Sequence, residues 1–407
     1  MSLTYQAYQN HMDLTEPCRK GAAAALKYLN LVPQGISDKV FGRLAAALEL
    51  ISRSSLTYTR PAYGIDKVLV GNQELEVTEE IAYATPFGSL LHFRKESAPA
   101  QPRLLLVAPM SGHFATLLRG TVQTLLQDHD VYITDWHNAR DVPLAAGVFG
   151  LDEFTAHIMQ FLQEMGRGAH VLAVCQPVVA VLAAVAIMAE DRNPFSPRSM
   201  SLLAGPIDTR VMPTKVNELA QSKSIEWFEK ALIDKVPWRH KGGGRRVYPG
   251  AVQVSAFMAM NMERHMKAHH AQFWNIYDGE ASKASMHRRF YDEYFAVMDL
   301  PADFYLETVR TVFQEHALPL GKLTFRGRPV RPEAIRRTAV LTVEGEKDDI
   351  CAIGQTMAAL DLCRGLPVTM KRHHLQTGVG HYGVFSGKRW AQQVYPRVRD
   401  VIQTNEG

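Results

Sequence analysis

From Val171 to Ala189 the chain is an apolar run broken only at Gln176-Pro177. A stretch of that length resembles a membrane span, but a glutamine and a proline in its interior oppose one continuous helix. The pattern predicts instead a short strand, Val171 to Val174, a sharp break at Cys175, and a helix from Val178 to Ala189 buried on all sides. No membrane span is therefore expected.

The flanking sequence repeats this alternation. Glu76 to Ala84 and Leu90 to Lys95 read as a hairpin across Pro86-Phe87-Gly88, and Leu104 to Ala108, Val131 to Asp135 and Met200 to Ala204 as further strands. Helical spacing fills His113 to Gln127 and Asp152 to Met165 between them. Strands alternating with helices predict an α/β fold with a mostly parallel central sheet. Two helices, Arg19 to Leu31 and Lys39 to Ser52, precede it and are expected to cover a flank of the sheet. After Gly205-Pro206 the character changes to aromatic, Met, His and basic residues without strand alternation. Four helices are expected there: Val216 to Ile233, Val252 to His269, Lys283 to Met298 and Asp303 to His316. The β pattern resumes at Thr338 to Val343 and Val368 to His373, before a last helix from Trp390 to Ile402. The division expected is an N-terminal helical segment (1–60), a first core part (61–206), a helical lid insertion (207–333) and a second core part (334–407).

The chain has 407 residues, 46% of them hydrophobic and 21% charged, and a net charge of +4, too small to argue for nucleic acid. Arg239, His240, Lys241, Arg245 and Arg246 gather around Gly242-Gly243-Gly244. They read as a solvated loop on a flexible hinge, since the lysine-serine of a phosphate loop is missing. Cys18, Cys175, Cys351 and Cys363 show no CxxC spacing, so neither a zinc site nor a disulfide framework is indicated. The start lacks the basic and apolar segments of a secretory signal, which makes the cytoplasm the default location. His265 and His269 have a metal-compatible spacing but no third ligand, and read as exposed helical histidines. Trp227, Phe228, Trp238, Phe273, Trp274, Tyr277, Tyr291, Tyr294 and Phe295 read mostly as core of the insertion.

A cysteine between strand and helix has the geometry of a nucleophile elbow, with the next backbone N–H, that of Gln176, aimed where an oxyanion would form. Ala173 and Pro177 take the small positions around it, and proline suits a first helical turn. The elbow fold orders its residues as nucleophile, acid, histidine. Here the strand ending at Val343 runs into Glu344-Gly345-Glu346-Lys347-Asp348-Asp349, and the following strand leads to Gly378-Val379-Gly380-His381-Tyr382-Gly383. His381 is the candidate base and Asp348 the candidate acid, with Asp349 the competitor and Glu346 more distant. A thiol of ordinary pKa, about 8.5, needs such a histidine to hold or take its proton. The second oxyanion donor is expected after Leu104 to Ala108, from the N–H of Met110 or Ser111; Pro109 has none.

Val174-Cys175-Gln176-Pro177, Asp135-Trp136-His137-Asn138-Ala139-Arg140-Asp141-Val142-Pro143 and Gly378 to Phe385 together resemble the intracellular poly(3-hydroxybutyrate) depolymerases. The resemblance covers nearly the whole length, including Tyr291 to Gln314. It implies an α/β-hydrolase fold, cleavage of the esters of stored polyester by a Cys175–His381–Asp348 triad, and residence at polymer granules. No metal or bound cofactor is implied, although a thiol such as coenzyme A would serve as acyl acceptor in place of water. The polyhydroxyalkanoate synthases share Asp135-Trp136 and the Tyr294 to Phe313 features, but their nucleophile box carries glycine where Pro177 stands. The alternatives are a synthase-like acyltransferase and a noncatalytic granule-surface protein. The partner expected is the polymer or granule surface, together with a possible homo-oligomer.

Overall fold

The computed structural model describes residues 4–29, 31, 41–96, 99–260 and 262–406. The centre is a nine-stranded sheet with strands β1 (Lys67–Val70), β2 (Gln73–Ala84), β3 (Gly88–Lys95), β4 (Arg103–Val107), β5 (Asp130–Trp136), β6 (His170–Val174), β7 (Ser199–Leu203), β8 (Ala339–Gly345) and β9 (Lys371–Gln376). Their order is β1-β2-β3-β5-β4-β6-β7-β8-β9. From β5 to β9 all neighbours are parallel, while β1, β2 and β3 extend the β5 edge antiparallel. This is an α/β-hydrolase sheet, parallel from β5 to β9 and antiparallel along its β1-β2-β3 edge.

Strands β6 and β7 are buried at every position, because helices cover both faces and leave no solvent side to favour alternation. On one face lie α4 (Leu151–Met165) and α5 (Val178–Glu190), whose residues from Val178 to Met188 are all buried. The other face is covered by α3 (Arg119–Leu125) and by the C-terminal segment carrying Trp390, Tyr395, Val398, Val401 and Ile402. Among the described residues no helix is long and apolar enough to cross a membrane. The run from Val171 to Ala189 is a strand and a core helix, as its interruption requires.

From β4 the chain passes to β5 on one side, whereas β6 lies on the other side of β4. The reversal opens a crevice beyond the carboxyl ends of β4 and β6, where open α/β sheets bind ligands. Cys175 and the Pro109-Met110 turn both stand at this crevice.

Several expectations need correction. Residues Val368 to Met370 form a 3₁₀ turn closed by Met370 N–H to Pro367 O (3.0 Å), and the strand is Lys371–Gln376. As the sheet edge, that strand is largely exposed and polar, so it lacks the apolar run of its neighbours. The stretch from His113 to Gln127 begins with a 3₁₀ turn (Ala115–Leu118) before α3. The N-terminal helix α1 (Thr4–Leu29) starts well before Arg19, and the second, α2, spans Gly42–Ser52; Lys39 and Val40 lie outside the described residues. These helices do not cover a sheet flank. They pack on one another, and α2 rests on the segment between β7 and β8, where Glu49 pairs bidentately with Arg288 (2.6 and 2.7 Å).

That segment holds helices α6 (Lys215–Ser222), α7 (Ile225–Leu232), α8 (Gly250–Met260), α9 (Met262–Tyr277), α10 (Ala281–Tyr294) and α11 (Ala302–Thr308). It is not free of strands. Asp234–Lys235, Arg246–Tyr248 and Leu300–Pro301 form a small antiparallel sheet, and Thr324–Phe325 pairs with Arg328–Pro329. The basic run is solvated only in part: Arg239, Lys241 and Arg246 are exposed, whereas Arg245 is buried and donates to the carbonyls of Val142 (3.0 Å), Gly147 (2.8 Å) and Pro143 (2.5 Å). The glycine run is close-packed rather than a hinge. Gly242 N–H bonds Arg140 O at 2.8 Å, and a Cβ at Gly242 would collide with that backbone.

Candidate active site

Cys175 sits immediately after β6 with φ of 67°, a left-handed conformation that costs a non-glycine residue about 1–3 kcal/mol. Its surroundings hold it there. Cys175 N–H continues the ladder to Leu203 O (2.8 Å), and its carbonyl accepts Val178 N–H (3.2 Å) as α5 begins. The Val178 side chain fills the space over Gly205, where a Cβ would overlap it. Strand and helix are thereby locked around the turn, and the side chain is lifted out of the sheet, half-buried rather than sealed in the core.

His381 opens the turn after β9, where its Nδ1 meets Asp348 and its ring lies close enough to Cys175 for the two groups to interact electrostatically. The Nδ1–Oδ2 distance to Asp348 is 2.8 Å, leaving Nε2 for the sulfur. Burial alone would lower the imidazole pKa; the Cys175 charge and the hydrogen bonds to Asp348 and Cys175 outweigh it and raise the ring above its ordinary 6.5. The two loops are tied together: Lys347 N–H reaches Val379 O (2.8 Å), Glu346 N–H reaches Gln376 O (3.0 Å), and Gly378, at φ of 71°, donates to the Glu346 carboxylate (2.7 Å). Glu346 and Asp349 are exposed, and of the three candidate acids only Asp348 meets the ring.

Glu344 is a residue that sequence reasoning passed over. Fully buried at the end of β8, it accepts the backbone N–H groups of Gly354 (2.8 Å), Thr356 (2.7 Å) and Met357 (2.9 Å). It therefore ties down the loop that presents Asp348. In the sequence Glu344 stands between an apolar run and a polar turn, which gives no signal that its carboxylate is buried.

The turn after β4 is held from β5. Ala108 N–H bonds the Thr134 hydroxyl (2.9 Å), and the Trp136 indole N–H donates to Ala108 O (2.8 Å). Met110 is buried, and its N–H points to the Gln176 side-chain oxygen at 3.4 Å. Among the described residues the Gln176 N–H itself makes no hydrogen bond. Ser111 is more exposed and is not drawn to Gln176. The far end of the turn joins the helical segment: Gly112 O accepts Met298 N–H (2.8 Å), and His113 Nε2 lies 3.1 Å from Tyr294 O.

Residues 204–406 match the family model described as PHB de-polymerase C-terminus, the half of the chain that carries Asp348 and His381. Through this half the chain belongs to the PHB depolymerase family. The match supports an ester hydrolase. No curated protein matches the chain. Among solved structures, a putative lipase from Acinetobacter baumannii AYE is similar at 13% identity and a TM-score of 0.44, over 81% of this chain and 93% of that one. A hydrolase from Pseudomonas aeruginosa PA01 gives 13% and 0.44 over 81% and 97%. An esterase from Thermogutta terrifontis gives 11% and 0.42 over 82% and 98%.

Other residues singled out by sequence fall differently in this PHB depolymerase relative. His265 is buried, with Nδ1 2.9 Å from the Tyr291 hydroxyl, and the His269 ring packs at a tilt against Tyr291 and edge-on to His287. They are packing groups rather than exposed helical histidines. Among the described residues no group of three or more His, Cys, Asp or Glu is placed to hold a metal ion. Of the nine aromatics expected mostly in a core, Phe228 and Tyr291 are buried whereas Trp227, Trp238 and Trp274 are exposed.

Proposed function

We propose that the chain cleaves the backbone esters of stored poly(3-hydroxyalkanoate) through a covalent thioester on Cys175. The reading is supported above all by one observation: Cys175 held at positive φ near an imidazole whose Nδ1 is held by Asp348 at 2.8 Å.

The Cys175 sulfur adds to the ester carbonyl carbon, and the oxygen takes the negative charge. Gln176 N–H and Met110 N–H are the proposed donors to it, with Ser111 the reserve candidate. Collapse breaks the bond to the alkoxide, which leaves with the proton held by His381. Neutral His381 then takes a proton from water, the hydroxide displaces the sulfur, and a 3-hydroxyacid or oligomer departs. A thiol such as coenzyme A in place of water would give a thioester product. Asp348 keeps the proton on Nδ1 and stabilises the imidazolium. The helices between β7 and β8 act in this reading as a lid against the polymer, and the protein works at granule surfaces in the cytoplasm.

The test is incubation with native granules, following soluble 3-hydroxybutyrate and its oligomers. Release by wild type and none by Cys175→Ala supports the reading; equal release by both refutes it.

A further inference from the structure

Gln176 contributes more than its backbone N–H. Its side-chain oxygen is the acceptor for the Met110 N–H, across the space between the end of β4 and the elbow after β6. Met110 is 1% exposed, so water does not readily serve that donor in its place. At 3.4 Å the bond is at the long limit of useful N–H···O contacts, strong enough to orient a peptide and weak enough to be displaced. The peptide it orients is already fixed at its other side, through Ala108 to Thr134 and Trp136.

We infer that the Gln176 side chain is a positioning residue, an internal placeholder that keeps Met110 N–H aimed at the oxyanion position until a substrate carbonyl oxygen takes over the bond. This rests on the Cys175 reading above. An amide suits the task because its oxygen accepts the N–H without bringing charge. A carboxylate would accept the same N–H more tightly and would also set a negative charge beside the oxyanion.

That contrast gives a test that a merely structural role would not mimic. Wild type, Gln176→Glu, Gln176→Ala and Cys175→Ala are compared on the soluble methyl ester of the linear 3-hydroxybutyrate trimer from pH 5 to 9. Gln176→Glu is expected to lose about 100-fold in kcat at pH 8, within the range for a lost oxyanion donor, with KM within about twofold. The loss shrinks about tenfold or more as the pH falls and the new carboxyl protonates. Gln176→Ala is expected to lose about tenfold in kcat at every pH, since the peptide loses its guide but gains no charge. A Gln176→Glu profile parallel to wild type, or a change confined to KM in both variants, overturns the inference. Full activity of Cys175→Ala overturns the underlying reading instead. An inactive Cys175→Ala beside a wild-type-like Gln176→Glu overturns the placeholder alone.

Discussion

One oxygen of Asp348 meets His381 Nδ1 at 2.8 Å, while the other accepts the backbone N–H groups of Ile350 and Cys351, each at 2.9 Å. The carboxylate thus has its two oxygens divided between the ring and its own loop. It cannot rotate away from the imidazole without breaking two further bonds.

Asp348→Asn should therefore keep its loop and lose its effect on the ring. We expect kcat to fall by about a hundredfold to ten-thousandfold with KM little changed. The His381 proton resonances, followed by NMR, should titrate at lower pH than in wild type, because one of the groups raising the ring has gone. An unchanged His381 titration contradicts the steering role.

Glu344 makes the Asp348 loop rigid through three backbone bonds. Glu344→Ala leaves those donors without their acceptor and opens a cavity. It should destabilise the protein by about 3–5 kcal/mol in urea unfolding, in line with the loss of a buried charged partner. A loss under about 1 kcal/mol contradicts this account of the loop.

Gly112 has φ of 104°, and a Cβ there would strike the buried Gln253 side chain. Since Gly112 O also holds Met298 N–H, Gly112→Ala should move the turn carrying Met110. The expected outcome is at least about a tenfold fall in kcat on soluble ester, together with a lower melting temperature. Wild-type values of both would show that the turn has slack.

Asp299 joins α1 to the later helices: it accepts the Tyr5 hydroxyl at 2.5 Å and Gly250 N–H at 2.8 Å. Complete burial raises its pKa from 3.8 to about 6, against the lowering effects of Tyr5, Gly250 and Arg140. A raised value in the folded state means that its stabilising contribution is complete below about pH 3.8 and is lost as pH rises through about 6. Wild type should thus lose stability, on the order of 2–3 kcal/mol, between pH 4 and 7.5 relative to Asp299→Asn. Parallel urea midpoints for the two proteins across that range contradict this.

The elbow was legible because a polar pair interrupts an apolar run at one point, and a parallel sheet covered on both faces turns its strands into such runs. The acid was narrowed but not fixed: Asp348, Asp349 and Glu346 share one turn, and which of them faces the ring is set by the long-range ties of Glu346 and Lys347 to the His381 loop and by the Asp348 bonds to Ile350 and Cys351. Glu344 was hidden because a buried carboxylate satisfied by backbone N–H groups looks, in sequence, like the polar end of a strand. The small sheet of Asp234–Lys235, Arg246–Tyr248 and Leu300–Pro301 left no trace, since two or three residues cannot display a period. Edge strand Lys371–Gln376 was displaced in the reading for a related reason: it is polar because it lies at the edge.

The central claim is that one sulfur carries the acyl group. Purified protein is mixed with the methyl ester of the 3-hydroxybutyrate trimer, quenched in acid within the first turnovers, digested and weighed by mass spectrometry. The account predicts a 3-hydroxybutyryl adduct on the peptide containing Cys175, absent from Cys175→Ala, whose turnover falls by at least about a thousandfold. Turnover within tenfold of wild type in Cys175→Ala, or an adduct on another residue, contradicts it.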